Sequence, residues 1–272
     1  MRSMLLAVCG LAVALVCSYS YSAYEQIDLD QFDNGQELTD QLSGITFSAD
    51  NTGGGPDSVA IFDTTLTGTA DPDLEGPPNT DWEGGNLSDL QTSVGNIIII
   101  QENTDGYDPG NGDTIFDNPD DEGGGGSIFI DYGSTLMKGF KFAFADSEEY
   151  SSGDSVCVGI SFYRDSFSDN DLVAEVPLAN YLEQGNYFKD TYNSDNSIEF
   201  EDHYANEFEI TSGDLEDAFT GVADGTFNKI KICLDNSSGG FGMLEYERVP
   251  EPVTFALLGS GLVMIGRKKR SE

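Results

Sequence analysis

Four short stretches of this chain place apolar residues at every second position, and that rhythm limits its fold more than any other feature. Ile128, Ile130 and Tyr132 alternate with Phe129 and Asp131, and Phe140, Phe142 and Phe144 alternate with Lys141 and Ala143. Val156, Val158, Ile160 and Phe162 alternate with Cys157, Gly159 and Ser161, and Ile230, Ile232 and Leu234 with Lys229, Lys231 and Cys233. Successive side chains on a strand point to opposite faces, so period two is the mark of a strand with one buried face. A fifth stretch, Asn96 followed by Ile97-Ile98-Ile99-Ile100, is continuously apolar, as in a strand buried on both faces. Gly, Asp and Asn bound these runs. Long helical periodicity is absent, and only Leu38–Leu42 and Asp214–Phe219 are predicted to make a turn or two of helix. The predicted fold is all-β: a single β-sandwich, jelly-roll-like, with long acidic loops, over residues 23–248.

Charge narrows the function. The chain carries 49 acidic and 12 basic residues, a formal net charge of −37. Between residues 3 and 137 there are 24 Asp or Glu and no Lys or Arg. Such a surface repels nucleic acid and anionic lipid and attracts divalent cations. A solvated surface adapted to salty water is the other reading of the bulk charge.

Two loops concentrate the carboxylates. Asp63–Asn86 contains "TADPDLEGPPNTDWEGGN", and Gln101–Ser127 reads "QENTDGYDPGNGDTIFDNPDDEGGGGS". Long loops in compact domains tend to be functional or disordered. Asp71-x-Asp73-x-Glu75-Gly76 begins like an EF-hand loop, but its twelfth position is Trp82, so it is not one. Calcium takes six to eight oxygen ligands. The expected calcium site joins both loops: Asp63, Asp71 and Asp73 from the first, Glu102, Asp120 and Asp121 from the second. A cation gathers such carboxylates by removing their mutual repulsion. The competing account is a lysine, Lys138 or Lys141, reaching in from outside.

The ends read as export signals. Arg2, the apolar run Met4–Val16 and the small residues Ser18–Ala23 form an expected signal peptide over residues 1–22. Removing it discards Cys9 and Cys17. Cys157 and Cys233 then remain for an oxidising compartment, each on the polar face of its strand, and a disulfide between them is expected if those strands are neighbours.

Catalytic chemistry has little support. His203, the sole histidine, lies among carboxylates and reads as a surface residue. No nucleophile elbow, zinc-binding His pair or phosphate-binding glycine loop occurs. Trp82, the only tryptophan, has two readings: stacking on a sugar ring, or plugging the mouth of the sandwich.

Residues 249–272 combine three parts in order: Val249-Pro250-Glu251-Pro252, about fourteen apolar or small residues, and the basic cluster Arg267-Lys268-Lys269-Arg270. A helix of that apolar length spans about 21 Å, short of the roughly 30 Å hydrocarbon core of a bilayer. This tail closely resembles the PEP-CTERM sorting signal. The resemblance implies export through a Gram-negative envelope, transient insertion of the short C-terminal hydrophobic helix in the inner membrane, and processing by an exosortase-type membrane protease. The product would reach the cell surface or the extracellular matrix. Prolines suit an extended recognition site, and the basic cluster holds the tail on the cytoplasmic side. The segments "AIFDTTLTGTADPDLEGP", "GNIIIIQEN" and "DNPDDEGGGGSIFIDYGS" resemble extracellular jelly-roll domains that are lectin-like or of unknown function. The expected protein is therefore structural or associated with extracellular polysaccharide, and not an enzyme. The alternative is a polysaccharide-processing enzyme.

Overall fold

The computed structural model describes residues 24–249, except 89–90, 109, 111, 147–157, 219–223 and 236. The expected signal peptide and the sorting segment from Pro250 onward lie outside the described residues. Among the described residues, no helix is long and apolar enough to cross a membrane.

Among the described residues, twelve strands form two antiparallel sheets. In chain order they are β1 (Tyr24–Gln26), β2 (Glu37–Leu38), β3 (Thr46–Asn51), β4 (Val59–Asp63), β5 (Asn96–Ile100) and β6 (Gly125–Asp131). Then follow β7 (Met137–Ala145), β8 (Val158–Tyr163), β9 (Leu172–Pro177), β10 (Ala205–Thr211), β11 (Lys229–Asp235) and β12 (Gly240–Arg248). The larger sheet runs β10-β7-β12-β5-β4-β2, with β1 also paired to β12. The smaller runs β3-β6-β11-β8-β9. The chain is thus an all-β sandwich.

The alternating runs supply its core. Phe140, Phe142 and Phe144 of β7 face Ile128, Ile130, Ile160, Phe162, Ile230 and Ile232 of the smaller sheet, all at most 1% exposed. Each such side chain contributes about 1.5–3 kcal/mol on burial. The tetra-isoleucine run of β5 is buried on both faces, as its continuity implies. Ile98 and Ile100 enter the central core, while Ile97 and Ile99 enter a second apolar cluster on the outer face of the larger sheet. That cluster exists because the β4–β5 loop lays Leu74, Trp82 and Leu87 over the sheet.

Two local expectations change. Leu38–Leu42 is not helical: Leu38 pairs with Val59 of β4, and its side chain is 1% exposed. Winding the segment into a helix would withdraw Leu38 from the core and break that pairing. Residues Ser212–Ala218 do form a helix, here α2, which includes the described part of Asp214–Phe219. An unpredicted helix α1, Tyr187–Tyr192, is capped by the Asn186 side chain accepting from the Phe188 N–H at 3.0 Å and buries Phe188. Six residues are too few to show a 3.6-residue period in the sequence.

β8 and β11 are antiparallel neighbours, as the disulfide expectation requires. Cys233 faces outward opposite Gly159, with the Ser127 hydroxyl 3.9 Å from its sulfur. Cys157 lies outside the described residues.

Candidate metal centre

Strand register decides which loops meet. Ala145, the last residue of β7, is paired on one side with Ala205 at the start of β10 and on the other with Gly240 at the start of β12. Ile100, the last residue of β5, pairs with Val59 at the start of β4. One rim of the larger sheet thus collects the loop after β5, the residue after β7, the turn before β10 and the turn between β11 and β12. The β4–β5 loop leaves from the opposite rim, crosses the outer face and returns residues 70–73 to this one.

At that rim lies a cavity of about 500 Å³, lined by Asp71, Asp73, Glu102, Asp120, Asp121, Asp146 and Asp202, with Ser238 and three residues without polar side chains. Among the described residues, seven carboxylates line it and no basic group does. Carboxylate oxygens of Asp71, Asp120 and Asp121 all lie within 4.8 Å of one another. Two oxygens bound to one calcium at about 2.4 Å each are at most about 5 Å apart, so this spacing admits a shared ion.

Asp71, Asp121 and Asp146 each accept backbone N–H groups. Asp71 Oδ1 accepts the N–H groups of Asp73 at 3.2 Å and Leu74 at 3.3 Å. Its Oδ2 is buried with no hydrogen-bond partner, in a residue only 7% exposed. Asp121 Oδ2 accepts the Gly239 N–H. Gly239 has φ +121°, and a Cβ there would lie 2.2 Å from the Asp146 carbonyl oxygen, so a side chain is excluded where the turn presses on the site. Asp120 is anchored through Gln101, whose Oε1 accepts the Asp120 N–H at 3.4 Å. Asp146 Oδ1 accepts the His203 N–H at 2.9 Å, and its Oδ2 accepts from the Ser238 hydroxyl at 3.4 Å.

Electrostatics follow from this crowding. Burial pushes Asp121 well above the usual carboxylate range, and Asp71 and Asp146 push it further. Burial raises Asp71 as well. Asp120 is lifted to about 7 by burial and by Glu102 and Asp71, and Asp146 to about 7 by burial with Asp71, Asp73 and Asp202 beside it. Carboxyls raised in the folded chain stabilise it fully below their ordinary value near 4, and that stability is lost as pH rises through about 7. Metal-free protein is therefore expected to melt at a lower temperature at pH 8 than at pH 5.5. Calcium should reduce that loss, since it binds the deprotonated form. Scanning calorimetry with EDTA and with calcium at both pH values checks the sign.

Of the six expected ligands, Asp71, Asp73, Glu102, Asp120 and Asp121 line the cavity and Asp63 does not. Asp63 ends β4 opposite Asn96, at the far rim, where its Oδ1 accepts the Thr65 hydroxyl at 2.7 Å. It is a turn-forming residue. Asp146, Asp202 and Ser238 were not expected. Only the position of Asp146, directly after an alternating Phe run, hinted at a strand end.

The lysine alternative fails. Lys138 pairs with Glu247 at 2.8 Å and Lys141 with Glu207 at 3.5 Å, and neither lines the cavity. Trp82 is 3% exposed, with its indole N–H donating to the Thr92 carbonyl at 3.2 Å, so its faces pack against protein and do not await a sugar. His203 is not a plain surface residue either. Its Nε2 lies 2.7 Å from the Glu75 carbonyl oxygen, and its ring meets Trp82 edge-on at 5.5 Å. Compared with known proteins, the chain matches no family model, no curated protein and no solved structure.

Proposed function

We propose that this is an exported cell-surface or exopolysaccharide-matrix protein whose β-sandwich binds calcium between Asp71, Asp120 and Asp121. The buried, unpartnered Asp71 Oδ2 carries the reading. A buried carboxylate oxygen without a donor is costly, and carboxylate oxygens of Asp120 and Asp121 lie within 4.8 Å of the Asp71 carboxylate. A cation among them gives Asp71 Oδ2 a partner and offsets the charge of all three. The lining offers oxygen ligands only, without His or Cys, which suits a hard ion. Asp73, Glu102, Asp146 and Asp202 line the same cavity around this triad and can supply further oxygen ligands.

The tail assigns the route. Pro250-Glu251-Pro252 and the basic end after it mark the segment that an exosortase-type protease would process, with the sandwich as the delivered cargo. Protein recovered from its native host is expected to lack residues before about Tyr21 and to have lost or altered everything past Pro252. Intact-mass spectrometry measures this. A finished product retaining Arg267–Glu272 would overturn the sorting route and leave the calcium site standing.

A further inference from the structure

We propose that the turn at residues 69–75 is a latch that the bound cation closes over Trp82, so that calcium controls how the larger sheet is covered. This rests on the calcium reading above.

The β4–β5 loop is fastened unequally. Its later part is stitched to β10: Leu87 N–H donates to the Ala205 carbonyl at 3.1 Å, Ala205 N–H to Gly84 at 3.2 Å, and Glu207 N–H to the Asn86 side chain at 2.7 Å. Those bonds do not involve the acidic cavity. The earlier part is bonded mainly to itself. Thr69 N–H donates to Glu75 Oε1 at 2.7 Å, its hydroxyl to the Asp71 carbonyl at 2.7 Å, and Asp73 and Leu74 N–H to Asp71 Oδ1. The turn is therefore a small rigid unit. Besides its C-terminal end, where the Gly76 N–H donates to the Thr64 carbonyl at 2.6 Å, it is tied to the rest of the molecule by the buried Leu74 side chain, by the contact between His203 Nε2 and the Glu75 carbonyl, and by Asp71 in the cavity.

When Asp71, Asp120 and Asp121 are all ionised, the third tie is repulsive without a cation, because their carboxylate oxygens lie within 4.8 Å of one another. With one it is attractive. The same turn runs into Gly76, which presses on the indole: a Cβ at Gly76 would lie 2.3 Å from Trp82 Cζ2. Lifting the turn at Asp71 uncovers Trp82 while β10 still holds the later part. Regions with few independent tethers open at the lowest free energy, so this turn opens before the sandwich unfolds.

Trp82 is the only tryptophan, so its fluorescence reads the latch directly. The full chain at pH 8 is titrated with acrylamide in EDTA and in calcium chloride, and calcium binding is measured separately by calorimetry. Quenching is expected to be several-fold weaker with calcium. Cleavage after Glu75 by a glutamate-specific protease is expected to slow in parallel, since Glu75 is buried when the turn is closed. Asp71→Asn keeps the Oδ1 hydrogen bonds and removes the charge, so its Trp82 is expected to be shielded with or without calcium. Calcium that binds while quenching and cleavage stay unchanged would overturn the latch and leave the site intact. A variant whose quenching still responds to calcium would also overturn it. Absence of calcium binding would overturn the site reading and the latch together.

Discussion

Calcium at about a hundred times its dissociation constant is expected to stabilise the folded chain by about 2.7 kcal/mol, raising its melting temperature by roughly 5–10 °C. Sodium at equal ionic strength should do far less, because screening weakens repulsion between exposed charges and scarcely reaches buried ones. Asp71 is 7% exposed, so its carboxylate belongs to the second kind. The double variant Asp71→Asn with Asp121→Asn separates the two effects. Removing two buried charges that repel one another should raise the melting temperature of the metal-free protein. It should also abolish the increment from calcium. Thermal melts in EDTA, in sodium chloride and in calcium chloride provide the comparison. Equal shifts with both salts would mean a solvated acidic surface.

A second large effect is expected at the centre of the sandwich. Phe142 is fully buried and stacks on Phe208 at 5.0 Å and on Phe140 at 5.3 Å, with Phe241 at 5.9 Å. Phe142→Ala removes those contacts and leaves a cavity, which should destabilise the fold by about 3–5 kcal/mol. That is a large share of a typical domain stability of about 5–15 kcal/mol. Leu66→Ala, at a side chain 40% exposed, should stay within about 0.5 kcal/mol of the parent. Urea denaturation of both variants measures the difference. A loss under about 1 kcal/mol at Phe142 would contradict the packing described for β7.

The strands legible in the sequence were those whose apolar faces are uninterrupted. β5, β6, β7, β8 and β11 show their alternation plainly, and the sandwich follows from them. β10 reads Ala-Asn-Glu-Phe-Glu-Ile-Thr, where Phe208 and Ile210 alternate with glutamates but sit in a segment so acidic that the pattern is hidden. β12 opens Gly-Phe-Gly and carries register shifts, which break its period. The candidate site divides in the same way. Asp71, Asp73, Glu102, Asp120 and Asp121 could be named because they crowd two loops that lack any cation. Asp146, Asp202 and Ser238 could not, because they join the cavity through the pairing of Ala145 with Ala205 and of Ala145 with Gly240. Those contacts are distant in sequence and leave no local trace. Asp63 failed for the converse reason: it belongs to an acidic loop in sequence, but five residues of β4 carry it to the wrong rim.

Calorimetric titration of the metal-stripped chain with calcium chloride, at pH 7.5 and physiological salt, tests the central claim most directly. The site predicts saturable binding accompanied by proton release to the buffer, since Asp120 and Asp146, raised to about 7, lose their protons as a cation binds beside them. Repeating the titration in buffers of different ionisation enthalpy exposes that release, and the Asp71→Asn, Asp121→Asn variant, which loses the site, should show neither saturable heat nor the proton release coupled to binding. Weak, non-saturating heats that are the same in the parent and the variant would contradict the account.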